Sequence, residues 1–272
     1  MKSETTPRGG ATDSKARAPI AAFLDFDGTL VELADRPESV VLPEQLAENL
    51  AGLAKRLGGA LALVTGRPID VVDGFLAPYR FAVAGGHGTE RRRADGTMLA
   101  LDPALVAASA RIGAQLTSLA QREPRLALEI KSAAVALHFR QAPELAEICR
   151  TAMDEALHNQ PLFAVITGKM VLEARPAGVD KGRAVEAFMA EAPFAGRVPL
   201  FIGDDRTDED GFAIAQARGG LGIKIGPGDT VARLRLASPA AVYRLLEALG
   251  DGGPLADIAG VSNFVAYAEA LQ

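Results

Sequence analysis

Ile20-Ala21-Ala22-Phe23-Leu24-Asp25-Phe26-Asp27-Gly28-Thr29-Leu30 sets five apolar residues in a row directly before two carboxylates one residue apart. A short apolar run that ends on a turn signal reads as a strand buried on both faces. The strand is expected over 20–26, emptying into a loop at Asp27-Gly28. Taken alone, Asp27-Gly28 is also an ordinary turn pair. Two acidic side chains at the end of a buried strand nevertheless need a chemical reason, and the segments that follow supply one.

Downstream, a helix is expected over 43–57, a strand over 60–64, a short helix over 68–76 and a strand over 81–84. This β-α-β-α-β alternation predicts an α/β fold, a doubly wound, Rossmann-like parallel sheet. From about residue 91 the rhythm changes. Ala94-Asp95-Gly96 reads as a hairpin turn, and Arg91-Arg92-Arg93 before it as the solvated edge of that hairpin. A helix near 103–121 with strands over 126–131 and 134–140 is then repeated as a helix over 143–157 with strands over 162–166 and 170–175, the last two joined through Thr167-Gly168. Two such αββ units in tandem predict a small antiparallel sheet with helices on one face, an inserted α+β cap over 93–176. Pro176 and Gly178 mark a hinge-like exit. Parallel alternation resumes with a helix over 181–190, a strand over 198–202, a helix over 209–217 and a strand over 221–225. The core is thus discontinuous, 20–92 and 177–272, behind a polar tail over 1–19 that is expected to be disordered. Ligands of open parallel sheets bind outside the carboxyl ends of the strands, where the polar clusters after 25, 64 and 202 would meet.

Composition narrows the function. Of the 272 residues 49% are hydrophobic but only 5% aromatic, so the interior must be built mainly from Ala, Leu, Val and Ile, as suits an α/β enzyme. A net charge of -5 with no basic patch argues against nucleic acid as a partner. No apolar run approaches the roughly 20 residues of a membrane span, and the first residues lack the apolar centre of a signal peptide. The single cysteine, Cys149, cannot form an internal disulfide and reads as a buried small hydrophobe, which suits a reducing cytoplasm.

Asp25 is the candidate nucleophile, since a carboxylate can attack phosphorus when a cation screens the approaching phosphate. Asp27 is the candidate acid and base, protonating a departing oxygen and later taking a proton from water. Gly28 allows a turn that exposes backbone N–H groups. Thr65-Gly66-Arg67 offers a hydroxyl and a helix start to a phosphate oxygen, although Thr65 alone could equally be a helix cap. Lys181, opening a helix behind Asp180, could neutralise a transferring phosphoryl group. Gly203-Asp204-Asp205-Arg206-Thr207-Asp208-Glu209 crowds acids at a strand end, and hard oxygen donors without Cys or His favour Mg2+.

These four segments, in this order, resemble the haloacid dehalogenase superfamily of phosphotransferases. The resemblance implies Asp25 as nucleophile, Asp27 as acid and base, Thr65 and Lys181 as phosphate ligands, and Mg2+ held by Asp25, the Asp27 carbonyl and Asp204. Asp205 and Asp208 would act through metal-bound water or by orienting Lys181. Within the superfamily, the chain from about residue 20 resembles the trehalose-6-phosphate phosphatase family, through Gly85-Gly86-His87-Gly88-Thr89-Glu90, Glu129-Ile130-Lys131, His138-Phe139-Arg140 and Leu172-Glu173-Ala174-Arg175-Pro176. That likeness implies a sugar-phosphate substrate, with Arg67 among the residues binding it and Glu129, Lys131 and Glu173 reading its hydroxyls. It also implies a single-chain enzyme coupled in function to a trehalose-6-phosphate synthase. His87 and Glu90 stand between substrate contact and a structural hydrogen bond, and His138 reads as a packed strand residue. The residue chemistry by itself leaves other sugar phosphates, a phosphomutase and a non-catalytic sensor open.

Overall fold

In the computed structural model, residues 19–33 and 39–250 are described. The tail expected over 1–19 lies outside them except for Pro19, as does the stretch beyond 250. β1 (Ile20–Leu24) is buried along its whole length, as its unbroken apolar run requires. Around it stand β2 (Leu61–Val64), β3 (Ala82–Gly85), β4 (Glu90–Arg92), β9 (Val198–Gly203), β10 (Leu221–Ile225) and β11 (Leu234–Leu236). The order is β11-β10-β9-β1-β2-β3-β4, with only β4 antiparallel to its neighbour. The central β1 pairs with β2 on one side and with β9, 178 residues further on, along the other: Ile20 lies opposite Val198. The two stretches of the discontinuous core therefore share one sheet.

The helices connecting these strands are α1 (Leu46–Arg56), α2 (Ile69–Leu76), α5 (Lys181–Met189), α6 (Glu209–Ala217) and α7 (Pro239–Gly250). α1 turns Leu46, Leu50 and Leu53 inward, the i, i+4, i+7 stripe of an amphipathic helix. Phe23 of β1 stacks on Phe194 with ring centroids 5.5 Å apart and lies 6.1 Å from Phe188 of α5, so three rings fill space that Ala-rich strands leave. β11 and α7 extend the sheet and its cover beyond the elements read from the sequence.

The arginine run is a solvated edge only at Arg93, whose side chain is 43% exposed; Arg92 is buried and Arg91 half-buried. β4 alternates its side chains across the sheet, sending Arg92 to α2 and Arg91 and Arg93 to the end of α5. Arg92 donates to both oxygens of Asp73, at 2.7 and 2.6 Å, and to the Phe81 carbonyl at 3.0 Å, and its side chain is only 8% exposed. Arg91 and Arg93 both pair with Glu191, and the Arg91 guanidinium lies 5.1 Å from the Phe188 ring centre. Three charges in sequence thus become two straps on opposite faces of an edge strand.

Between β4 and α5 the chain builds a second unit: α3 (Pro103–Arg122), β5 (Ala127–Lys131), β6 (Ala134–His138), α4 (Ala146–Leu157), β7 (Phe163–Gly168) and β8 (Val171–Pro176). Its antiparallel sheet runs β5-β6-β8-β7. One face packs Val135, Leu137, Leu172 and Ala174 under Ile112 and Leu116 of α3 and Cys149 and Met153 of α4. The register aligns Glu129, Ala136 and Glu173 in one row on the opposite face. The turn expected at Thr167-Gly168 falls two residues later, at Lys169-Met170, with Met170 at φ +62°. At Gly168, the last residue of β7, an added Cβ would come 2.7 Å from Val171 Cγ1 as the hairpin closes. Among the described residues no helix is long and apolar enough to cross a membrane.

Replacing Asp73 with Ala leaves the Arg92 charge buried beside one carbonyl, and should cost about 3 kcal/mol of stability at pH 7 in urea unfolding. Burial pushes the Asp73 carboxyl upward, but the Arg92 bonds outweigh it and hold it below the usual range. A depressed pKa stabilises above the unfolded value, so the difference between parent and D73A should be full at neutral pH and shrink below about pH 4.

Candidate active site

Asp25 follows β1 directly, and its N–H donates to the Ile202 carbonyl on the neighbouring strand at 2.9 Å. The loop turns back at Gly28, whose φ is +74°. A Cβ there would lie 2.1 Å from Asp204 Oδ2, so glycine is what lets the loop approach the carboxylate that follows β9. Lys181 is the first residue of α5, which Asp180 caps by accepting from the Arg183 N–H. The Lys181 ammonium donates to Asp25 Oδ1 and to Asp208 Oδ1, each at 2.7 Å, with its side chain 2% exposed.

Asp208 ends a 3-10 turn between β9 and α6. Its second oxygen accepts from the N–H groups of Asp204 and Asp205, both at 2.9 Å. An added Cβ at Gly203 would come 2.2 Å from the Asp208 carboxyl carbon, so this strand end also needs glycine. Asp205 accepts from the N–H and hydroxyl of Thr207, at 2.8 and 2.7 Å. The expected pairing of Asp208 with Lys181 is therefore present, whereas Asp205 braces its own turn.

Burial pushes Asp25 up to about 7 against the pull of Lys181, and the charges of Asp204 and Asp205 add to the rise. Burial, with Asp208 and Asp205 nearby, brings Asp204 to about 6. Asp208 is also raised, by burial and by Asp25. Burial opposes the Lys181 charge, yet Asp25 and Asp208 prevail and hold its pKa above the ordinary value. Three crowded carboxylates thus share one buried ammonium and lack positive charge. One oxygen from each of Asp25, Asp204 and Asp208 lies within 4.8 Å of the others. Since both oxygens of Asp208 are engaged, Asp25 and Asp204 have the freer donors. An oxygen-only set with surplus negative charge fits a hard divalent cation.

Thr65 follows β2, fully buried, and its hydroxyl accepts from the Arg67 N–H at 3.1 Å. Arg67 reaches across to Asp27 and grips both oxygens, at 2.7 and 2.6 Å, while its guanidinium lies 5.1 Å from the Phe75 ring centre. The bidentate Arg67–Asp27 pair faces a cleft of about 950 Å³ between the parallel sheet and the second unit. Across the cleft are Glu129, Lys131, His138 and Arg140. Lys131 Nζ lies 3.2 Å from Glu173 and 3.8 Å from Glu129. His138 belongs to this face: its Nε2 is 3.6 Å from Glu129, and its side chain is 42% exposed, which corrects the expectation of a packed strand residue. It shares the face of Glu129 because the two-residue period of β6 turns it away from Leu137.

Glu90 has a structural bond, accepting the Ile69 N–H at the start of α2 at 3.2 Å. His87 sits at φ +59° behind Gly66, where a Cβ would meet its Nε2 at 2.7 Å. Burial, then Lys181 and Arg175, draw its pKa down to about 4, so the ring is neutral at pH 7. Sequence reasoning missed Lys224, whose buried ammonium donates to the carbonyls of Asp204 and Ile225. A lysine inside the otherwise apolar Leu221-Gly222-Ile223-Lys224-Ile225 was the available signal.

The sequence model of the trehalose-phosphatase family matches residues 23–240. Trehalose-6-phosphate phosphatase of Escherichia coli (strain K12) is 43% identical over 231 residues, covering 85% of this chain and 86% of that protein. A probable trehalose-phosphate phosphatase of Sinorhizobium fredii is 46% identical over 208 residues, 76% of this chain and 78% of its own length. A solved trehalose-6-phosphate phosphatase related protein has a TM-score of 0.71 at 27% identity, with 85% of this chain and 96% of that one covered. A match that spans Asp25, Thr65, Lys181 and Asp204 together, on a shared fold, makes this chain a member of the trehalose-phosphatase family, built on the haloacid dehalogenase fold.

Proposed function

We propose that the chain is a Mg2+-dependent phosphatase that hydrolyses trehalose 6-phosphate through a phosphorylated Asp25. Its main support is the buried Asp25–Lys181–Asp208 chain beside Asp204, a carboxylate held at a strand end next to an ammonium and a cation-fitting oxygen set. An oxygen of Asp25 attacks phosphorus and the bond to the sugar O6 breaks, while Asp27, released by Arg67 and protonated when substrate enters, gives that proton to the departing oxygen. Water then attacks the same phosphorus, Asp27 takes the water's proton, and the bond to Asp25 breaks to release phosphate. Lys181 and the Thr65 hydroxyl bind phosphoryl oxygens, and Asp208 keeps Lys181 aimed. Mg2+, held by Asp25, the Asp27 carbonyl and Asp204, would neutralise charge on the transferring group. Arg67 brings a guanidinium to the substrate side of Asp27, where turning to phosphate or sugar would free that carboxyl to carry a proton.

The insert over 93–176 is the cap that closes on the parallel-sheet core on either side of it in the chain, excluding water from the first transfer. Glu129, Lys131 and Glu173 line its cleft face and are suited to sugar hydroxyls, as charged donors and acceptors around the small side chain of Ala136. A reducing cytoplasm suits Cys149, buried as a thiol, and the substrate would come from a synthase that joins a phosphorylated glucose to a second sugar. The enzyme works in this scheme as a single chain.

The direct test is phosphate release from trehalose 6-phosphate, sucrose 6-phosphate, glucose 6-phosphate and mannose phosphates, with Mg2+ and with a chelator. A preference for the first in kcat/KM, lost with chelator, is expected; equal rates on all four would remove the trehalose assignment and leave the phosphatase. Asp25→Asn keeps an oxygen for Lys181, so the protein should stay folded while turnover drops by about a thousandfold or more. Normal turnover in that variant would exclude Asp25 as nucleophile. Ala136→Leu should push into the row between Glu129 and Glu173, raising KM for trehalose 6-phosphate about tenfold while p-nitrophenyl phosphate is hydrolysed as before.

A further inference from the structure

We propose that Lys224 is a positioning residue for the cation site, fixing the peptide of Asp204 and through it the direction of the Asp204 carboxylate. Lys224 lies on β10, in register with Gly203 at the end of β9, and is 5% exposed. Its ammonium donates to the main-chain carbonyls of Asp204 and, at 2.8 Å, of Ile225. Taking an ammonium out of water is costly, and carbonyl acceptors offset less of that cost than a carboxylate would. Its strand neighbours Leu221, Ile223 and Ile225 are apolar and fully at home there. A methionine would fill the same place without the cost, so the charged end needs a use that strand packing does not supply.

The use lies in what Lys224 touches. Asp204 is held at two points, its N–H by Asp208 and its carbonyl by Lys224, and its carboxyl fills the space that Gly28 leaves. Fixing both the donor and the acceptor of one residue fixes its Cα–Cβ direction. The residue so fixed is the one whose carboxyl shares the oxygen cluster with Asp25. Lys224 touches neither substrate nor reacting atom, and reaches the site only through this peptide. Groups that orient a metal ligand in this way typically change affinity 10- to 100-fold when removed.

Two effects of opposite sign separate this role from a purely electrostatic one. Deleting a positive charge near a cation site should tighten cation binding, whereas releasing the Asp204 peptide should weaken it. The inference rests on the Mg2+ reading above, and the experiment keeps the two apart. Mg2+ is titrated calorimetrically into the full chain, as the parent, K224M and K224R. The expected result is a Kd about tenfold weaker in K224M and within about threefold of the parent in K224R, with KM for the sugar phosphate at saturating Mg2+ unchanged. A K224M protein that melts earlier but binds Mg2+ as well as the parent, or more tightly, overturns the proposal and leaves Lys224 a structural residue. Equal weakening in K224M and K224R overturns it too, because an arginine still donates to carbonyls. If K224M does not fold, K224L is read by the same criterion, since it also has no donor for either carbonyl. A parent that binds no Mg2+ defeats the cation reading itself.

Discussion

The Lys181 ammonium, shielded from water and bound at 2.7 Å to both Asp25 and Asp208, is the contact around which the molecule is arranged. A buried charge survives only if its partners are fixed, because losing one leaves an uncompensated ion in a poor solvent for ions. The three groups come from different elements: Asp25 from the end of β1, Lys181 from the first turn of α5, and Asp208 from the turn that joins β9 to α6. Holding them together requires β9 beside β1 in the sheet, which is what brings the two separated stretches of core into register. The same burial, with several acids crowded round one ammonium, raises Asp25 and Asp204 above ordinary carboxylates. Stability and chemistry therefore draw on one arrangement, and the positive charge still lacking is what a cation would supply.

Close approach is the second requirement. Gly28 and Gly203 stand where any side chain would collide with a carboxyl group, one against Asp204 and the other against Asp208. These glycines are needed because oxygen donors must converge within a few ångströms, which bulky loops would prevent. Lys224 and the N–H groups of Asp204 and Asp205 then pin the same segment from its backbone side. The acids are held by main-chain geometry rather than by their own torsional preferences, so they stay close despite repelling one another.

The inserted unit solves a different problem. Alternation in its antiparallel sheet turns Val135, Leu137, Leu172 and Ala174 toward two helices and leaves Glu129, Ala136 and Glu173 on the face that borders the cleft. One face can thus be apolar for packing and the other charged toward the cleft without conflict. The edge strand β4, just ahead of the unit, is fastened on both faces, to Asp73 by Arg92 and to Glu191 by Arg91 and Arg93. The chain therefore enters the insert from a strand anchored to the core.

The sequence by itself determined the alternation of strands and helices, the insertion, the strand ends at which Asp25, Thr65 and Asp204 stand, and the helix start at Lys181. These are local properties: an apolar run, a two- or 3.6-residue period, a turn signal, a short motif. Only the tertiary structure decided who partners whom. Arg67 grips Asp27 from 40 positions away, and Lys224 reaches the peptide of Asp204 from 20. Arg92 is buried against Asp73 rather than solvated, and His138 faces the cleft rather than the core. The physical reason is that an ion pair or hydrogen bond depends on which strand ends lie side by side and which face of a strand is covered. Neither is written in the neighbouring residues; both are set when separated segments pack into one sheet.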